Sequence, residues 1–238
     1  MPAVRYHVSG PGSPPARFFF FGSQSVSAPP TLTGQHVRLE PLARRHIEGL
    51  LAAAGTELEL YKWTTIPQTL GEMAEYVDTA IRWREEGTAL PFATVRAADG
   101  AVIGSSRFFL IERWSWPKGH PRSAHPGPDG CEVGYTWLAP AAVRTGANSE
   151  AKLLMLAHAF DTWGVYRVCF HTDARNERSR NALLGIGAKF EGVLRAHRLS
   201  SDLKPRDSAR YAITAAEWPA VRERLRRRLA RANEEARA

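Results

Sequence analysis

Cysteine is nearly missing from this chain: Cys131 and Cys169 are the only two in 238 residues. Two thiols close at most one bridge, which excludes a disulfide-stapled secreted scaffold. Both sit between apolar neighbours in segments that read as strands, so we expect two reduced core thiols in a cytoplasmic protein. The same scarcity argues against a thiolate metal centre, which needs several ligands at short spacing. Long apolar runs are also lacking. Phe18 to Phe21 form a run of four, far short of the roughly 20 residues of a membrane span and without the small-residue cleavage pattern of a secretory signal. No membrane partner is expected. No internal repeat is visible, and no cysteine or serine has a base close by in sequence. His171, two residues after Cys169, would share its strand face, and nothing else supports a thiol–imidazole pair.

Positive charge is abundant. The formal net charge is +8, and much of the excess lies in the run "VRERLRRRLARANEEARA". A solvated helix face comes first as an explanation, attraction of an anionic cofactor or acidic protein second. Nucleic acid comes last and is not expected, because no aromatic-rich basic module accompanies the run.

Residues 1–30 read as a tail, rich in turn residues and without period. We expect it to be disordered unless the Phe cluster docks onto the domain or pairs two subunits into a homodimer. Residues 31–230 read as one domain. "HVRLEPL" alternates as a strand, and "ARRHIEGLLAAAGT" has helical spacing. "TLGEMAEYVDTAIRWREEG" is a stronger helix, with Met73, Tyr76, Val77, Ala80, Ile81 and Arg84 near one face and Thr69 and Glu72 at capping-box positions. "LPFATVRA" and "AVIGSSRFFLIE", joined at Asp99-Gly100, form a hairpin signature. "CEVGYTWL", "YRVCFHTD", "AKFEGVLRAHRLS" and "SARYAIT" are further strands. "NERSRNALLGIG" is a helix between two of them, and a last helix is expected from Thr214, with Glu217 completing its cap. The order predicts an α+β (mixed α/β) domain around a partly antiparallel sheet.

One stretch carries more than structure. In "WLAPAAVRTGANSEAKLLMLAHAF", residues 137–160, a strand ends in a small polar turn that runs straight into an amphipathic helix. Such a turn leaves backbone N–H groups uncovered at a helix start, where they bind anions.

Four pieces in this order, "LTGQHVRLEPL", "CEVGYTWLAP", "VRTGANSEAKLLMLAHAF" and "TDARNERSRNALLGIGAKFEGVLRAH", give residues 31 to about 228 a resemblance to the GCN5-related N-acetyltransferases. The branch they look most like holds the ribosomal-protein N-acetyltransferases of RimJ and RimL type. The resemblance implies a central, mostly antiparallel twisted sheet flanked by helices, and acetyl-coenzyme A as cosubstrate with no metal. It also implies that the turn at Arg144, Thr145, Gly146, Ala147 and Asn148 cradles the pyrophosphate. Small residues suit this, since they let phosphates approach the backbone. Similar proteins begin the turn with Gln or Arg where this chain has Val143; Arg144, one place later, is the candidate substitute. Asn148, at the last position of the turn, can tolerate left-handed backbone angles. Main-chain groups around Val133, Trp137 and Leu138 would meet the thioester end, and Asn176 and Ser179 the pantetheine arm. Asn176 at a strand-to-helix junction also reads as an ordinary helix cap. Relatives often carry a Tyr where this chain has Leu183, which leaves Ser179, or a water it holds, to protonate the departing thiolate.

Chemistry sets the remaining requirement, because only a neutral amine attacks a thioester. Keeping an α-amine neutral at pH 7 costs about 1 kcal/mol, and a lysine roughly 4–5 kcal/mol, so a general base helps. Glu132, on the central strand and on the face opposite Cys131, Val133, Tyr135 and Trp137, is the candidate, with a pKa raised by apolar neighbours. An exposed or ion-paired carboxylate would explain it equally. Tyr61 and Trp63 lie where similar enzymes shape the acceptor groove; both also suit a core. The Trp-, His- and Pro-rich loop 113–130 reads as an acceptor wall, a lid or a surface insertion. His120 and His125 lack the further ligands of a metal site. The expected activity is direct acetyl transfer from acetyl-CoA to a primary amine in a ternary complex, the acceptor being a protein N-terminus or, alternatively, a small amine. A non-catalytic coenzyme-binding or ribosome-docking module is the other alternative.

Overall fold

The structure, a computed structural model, describes residues 29–235 apart from residue 202. Expectations about residues 1–28, the Phe cluster included, lie outside the described residues. The elements in order are β1 (Leu32–Thr33), β2 (Val37–Pro41), α1 (Ile47–Ala54), α2 (Leu70–Glu85), β3 (Ala89–Arg96), β4 (Val102–Glu112), β5 (Gly130–Leu138), α3 (Ala147–Ala157), β6 (Arg167–Asp173), α4 (Glu177–Ile186), β7 (Lys189–Leu199), β8 (Pro205–Thr214) and α5 (Trp218–Glu235). No helix among the described residues is long and apolar enough to cross a membrane.

Local chemistry explains most boundaries. Thr69 and Glu72 form the reciprocal capping box at the start of α2, and Met73, Val77 and Ala80 are its buried stripe. Gly100, at φ +75°, turns the β3–β4 hairpin. The last helix begins at Trp218, four residues past the expected start. Thr214 ends β8 instead, and Glu217 accepts a hydrogen bond from its N–H at 2.8 Å. Pro219 then occupies the first helical turn, where a missing N–H costs nothing.

The eight strands form one sheet in the order β1-β2-β3-β4-β5-β6-β8-β7. Every pairing is antiparallel except β5 with β6. That parallel pair is short: Gly130, Cys131 and Glu132 register with Arg167, Val168 and Cys169, and then the strands diverge. A bulge in β5 sets the divergence. Ser105 pairs with Trp137 but Arg107 pairs with Gly134, so one extra residue is inserted, and Tyr135 takes φ +51°. Beyond Glu132 the β6-facing edge of β5 has no strand partner among the described residues, and the gap opens toward the N-termini of α3 and α4.

Two apolar clusters hold the layers. On one face α1 and α2 bring Leu50, Ala54, Met73, Val77 and Ala80 against Ala93, Val95 and Trp137. On the other, α3, α4 and α5 bring Ala151, Met155, Leu183, Ile186, Trp218 and Leu225 against Phe108, Val133, Val168 and Phe170. Cys131 belongs to this core, and burial pushes its thiol well up. Cys169 does not: it is half-buried on the opposite face, accepting from Arg167 Nε at 3.2 Å with Arg210 Nη2 at 3.7 Å, so the expectation of two core thiols holds for one. Strand alternation sends Val168 and Phe170 inward and therefore Cys169 outward.

Candidate active site

The turn before α3 is fixed from behind. Glu150, in the first turn of α3, is buried, and its carboxylate accepts N–H bonds from Gln35 at 2.8 Å, His36 at 2.6 Å and Val37 at 2.8 Å. A Cβ on Gly34 would lie 2.4 Å from that carboxyl group, so only glycine fits there. The β1–β2 turn thereby locks the start of α3 from across the sheet. Thr145 Oγ1 donates to Ala142 O at 2.8 Å and accepts from Ala147 N at 3.2 Å. The N–H groups of Thr145, Gly146, Asn148 and Ser149 have no hydrogen-bond partner among the described residues. They converge where the helix dipole favours negative charge. Arg144, not Asn148, adopts the left-handed angle, at φ +64°, while Asn148 is ordinary helix. The left-handed residue belongs to the turn itself, and Asn148 is already inside the first helical turn.

A groove of about 830 Å³ opens beside these amides. Its lining includes Arg144, Thr145, Gly146 and Ser149 on one side and Arg224, Arg227, Arg228 and Arg231 of α5 on the other. Free N–H donors at the helix start, with Arg144 beside them, form a donor set matched to phosphate oxygens. A diphosphate therefore fits the residues present.

At the mouth of the β5–β6 gap, Asn176 caps α4 by accepting from Ser179 N at 3.1 Å. Its capping role is thus real, and its amide nitrogen has no hydrogen-bond partner among the described residues. The Ser179 hydroxyl has no hydrogen-bond partner among the described residues. Leu183 is buried in the core. Val133 is buried beneath α3, and Trp137 is buried against Tyr61 in the other cluster, so these two can offer a ligand only main chain. Tyr61 donates its hydroxyl to Leu138 O at 2.9 Å and so pins the end of β5; burial raises its pKa.

Glu132 is only 2 % exposed and lies at the last paired position before the gap. Arg198 of β7 donates to it through both terminal nitrogens, at 3.2 and 2.9 Å. His171 Nδ1 of β6 lies 2.9 Å from Glu132 Oε2, a close contact off the hydrogen-bond axis. Burial alone would push the carboxyl up, but His171 and Arg198 outweigh it and hold the carboxyl below its usual range. The expected raised pKa is therefore overturned: the strand neighbours are apolar, but the partners come from β6 and β7. His197 packs on His171 with ring centroids 4.9 Å apart, and burial, Arg198 and His171 bring its pKa down to about 4. Arg206 completes this polar cluster; burial and Arg198 lower its pKa. His197, Arg198 and Arg206 carried no sequence signal, and His171 only its alternation on β6.

Trp63 is half-buried, with Arg175 over its ring at 4.7 Å. Arg178 of α4 donates to Leu60 O at 2.6 Å, and Ser201 of the β7–β8 turn donates to Lys62 O at 2.7 Å. The segment holding Tyr61 and Trp63 thus bridges α4 and the β7–β8 turn beside the gap. The 113–130 loop does not reach it. Buried Asp129 accepts from Trp114 N at 2.7 Å, Trp116 Nε1 at 3.0 Å and Arg122 Nε at 2.8 Å, and Trp114 stacks on Tyr166 at 5.4 Å. These contacts staple the loop to the N-terminal ends of β5 and β6, opposite the gap, so it is neither acceptor wall nor lid. His120 stacks on Trp116 and His125 accepts from Gly127 N. Among the described residues no group of three metal-ligating side chains occurs.

A family model described as an acetyltransferase (GNAT) domain matches residues 36–189. A GCN5-related N-acetyltransferase structure from Brucella melitensis is similar at 28% identity and TM-score 0.73, over 85% of this chain and 86% of that one. A candidate acetyltransferase from T. thermophilus is 32% identical, TM-score 0.68, over 85% and 98% of the two chains. Mycobacterium smegmatis RimJ, in complex with CoA-disulfide, shares the fold at 20% identity and TM-score 0.69, over 83% and 94%. No curated protein sequence matches.

Proposed function

This chain belongs to the GNAT acetyltransferase family, and from that premise we propose that residues 31–230 transfer an acetyl group from acetyl-coenzyme A to a primary amine. The observation that carries the reading is the parted β5–β6 pair, with the unpaired N–H groups of α3 at one side of its mouth and Asn176 and Ser179 of α4 at the other. Bound acetyl-coenzyme A would supply an activated thioester. The amides of Thr145, Gly146, Asn148 and Ser149 would hold its diphosphate, with Arg144 in the role of the missing Gln or Arg at Val143. The free edge of β5 from Val133 to Leu138 would take the pantetheine and polarise the carbonyl.

The Glu132–His171 pair receives the proton of the attacking amine, with Arg198 keeping the carboxylate ionised. Ser179 donates a proton to the leaving sulfur. The amine attacks directly, without an acyl-enzyme: Cys169, the thiol on the face of the gap, lies against arginines rather than His171. The acceptor enters from the face carrying Arg198, Arg206 and Arg210, beside Trp63. Glu132 and Glu191 pair with Arg198 and Arg210, and Arg206, without a carboxylate partner among the described residues, leaves a positive balance that favours a neutral or acidic acceptor, such as the α-amine of a protein N-terminus, over a polycationic small amine. The likeness to RimJ supports the same direction.

Thiol release from acetyl-coenzyme A should appear with peptides bearing a free N-terminal amine, more with acidic than with basic sequences. Coenzyme binding with no turnover on peptides or small amines would point instead to a sensor.

A further inference from the structure

Helix α5 lies beyond residue 189, where the family match ends, yet it forms one wall of the groove beside the α3 amides. We propose that Arg224 and Arg228 of α5, together with Arg144, form a second anion subsite that takes a phosphate monoester next to the diphosphate cradle. The ligand chemistry rests on the function proposed above: coenzyme A carries, besides its diphosphate, a phosphate monoester on its ribose.

Arg144, Arg224, Arg228 and Arg231 face one groove, and none has a carboxylate partner among the described residues. Among the described residues Glu223 is the only carboxylate lining the groove, and Arg227 engages it at 2.7 Å. Unpaired guanidinium groups gathered on one concave surface repel one another, and a multivalent anion relieves that repulsion.

Gly185 sits inside α4, where glycine costs about 1 kcal/mol relative to alanine. A Cβ there would come within 2.8 Å of Arg228 Nη1. The missing side chain lets the Arg228 guanidinium lie against α4 and face the groove. Leu229, one residue on, packs 3.5 Å from where a Cβ on Gly146 would sit, so α5 is seated directly against the cradle.

Trp218, Val221, Leu225 and Leu229 bury one stripe of α5. Asp161 accepts from Trp218 Nε1 at 2.9 Å and from Arg222. The arginines are thus carried by a docked helix, and Arg224 and Arg228, four apart, share one face of it.

Calorimetry on the full chain, with coenzyme A and 3′-dephospho-coenzyme A as ligands, tests the subsite without any turnover. The wild type should bind coenzyme A at least tenfold more tightly than the dephospho form. The double variant Arg224→Ala/Arg228→Ala should bring coenzyme A down to the dephospho level and change the dephospho affinity less than threefold. Arg226→Ala, on the same helix but outside the groove lining, should change neither. Equal wild-type affinity for both ligands overturns the subsite and leaves the acetyltransferase reading standing. So does an equal loss for both ligands in the double variant. Binding of neither ligand to folded wild type overturns both.

Discussion

Lys152 Nζ donates to Thr136 Oγ1 at 2.7 Å, and Thr136 in turn shares a 2.7 Å hydrogen bond with Ser106. Lys152 also reaches Ser106 Oγ at 3.3 Å. It is 5 % exposed and has no carboxylate partner among the described residues. An ammonium so placed is held by two hydroxyl groups on either side of the bulge that parts β5 from β6, and burial brings its pKa down from 10.5 to about 7.

The sign of that shift gives the first prediction. A lysine with a depressed folded pKa leaves stability intact above pH 10.5 and removes it as pH falls toward 7. The full penalty is on the order of 4–5 kcal/mol as an upper bound. Lys152→Met should therefore raise the urea midpoint at pH 7, and the gain should shrink as pH approaches 10.5. A gain independent of pH, or a loss at pH 7, would show that the ammonium is not desolvated.

Glu132→Gln should lower kcat at least tenfold with little change in affinity for acetyl-coenzyme A, since Glu132 lies at the inner end of the gap and away from the turn before α3. Removing the carboxylate leaves Arg198 facing a neutral amide and should cost about 1–3 kcal/mol of stability. Kinetics at a temperature well below both unfolding midpoints separates the two effects. Because the carboxyl is held below its usual range, Glu132 should stay ionised in the wild type down to below pH 4.5, so an activity limb near neutral pH would belong to another group.

Glu150→Ala should be among the most damaging changes outside the gap. Three N–H groups of the β1–β2 turn lose their acceptor at once, at a cost of about 3 kcal/mol or more. Freed of this anchor, the start of α3 should also bind acetyl-coenzyme A more weakly. Denaturation and calorimetry on one preparation test both parts, and unchanged stability would remove Glu150 from its anchoring role.

Asp129→Ala should free the 113–130 loop without touching coenzyme affinity. Burial pushes the Asp129 carboxyl up, but Arg122, the Trp114 N–H and the Trp116 indole outweigh it and hold it below its usual range. Limited proteolysis should cut the variant within the loop and spare the wild type. A fall in coenzyme affinity would place the loop nearer the gap than the sheet order allows.

Periodicity and capping residues made the succession of strands and helices readable. Thr69 with Glu72 and the Asp99-Gly100 hairpin are local signals, and local signals survive folding. The α3 turn was legible for the same reason: small residues followed by an amphipathic run mark it in the chain itself. What escaped were relationships between distant positions. Arg198 is 66 residues from Glu132, and no spacing rule joins them, so the carboxylate's environment was read from its strand neighbours alone. The bulge at Tyr135 depends on pairing with β4, and α5 meets Gly146 only after the sheet is assembled. The 113–130 loop looked available for function until Asp129 tied it to the closed end of the β5–β6 pair.

The most direct measurement is titration calorimetry of acetyl-coenzyme A into the folded wild-type chain. The account predicts saturable one-to-one heat that Gly146→Trp eliminates, because a large side chain there would press on His36 and Leu229 and cover the N–H groups at the start of α3. Absence of any binding heat from folded wild-type protein, or undiminished heat from a folded Gly146→Trp variant, would contradict it.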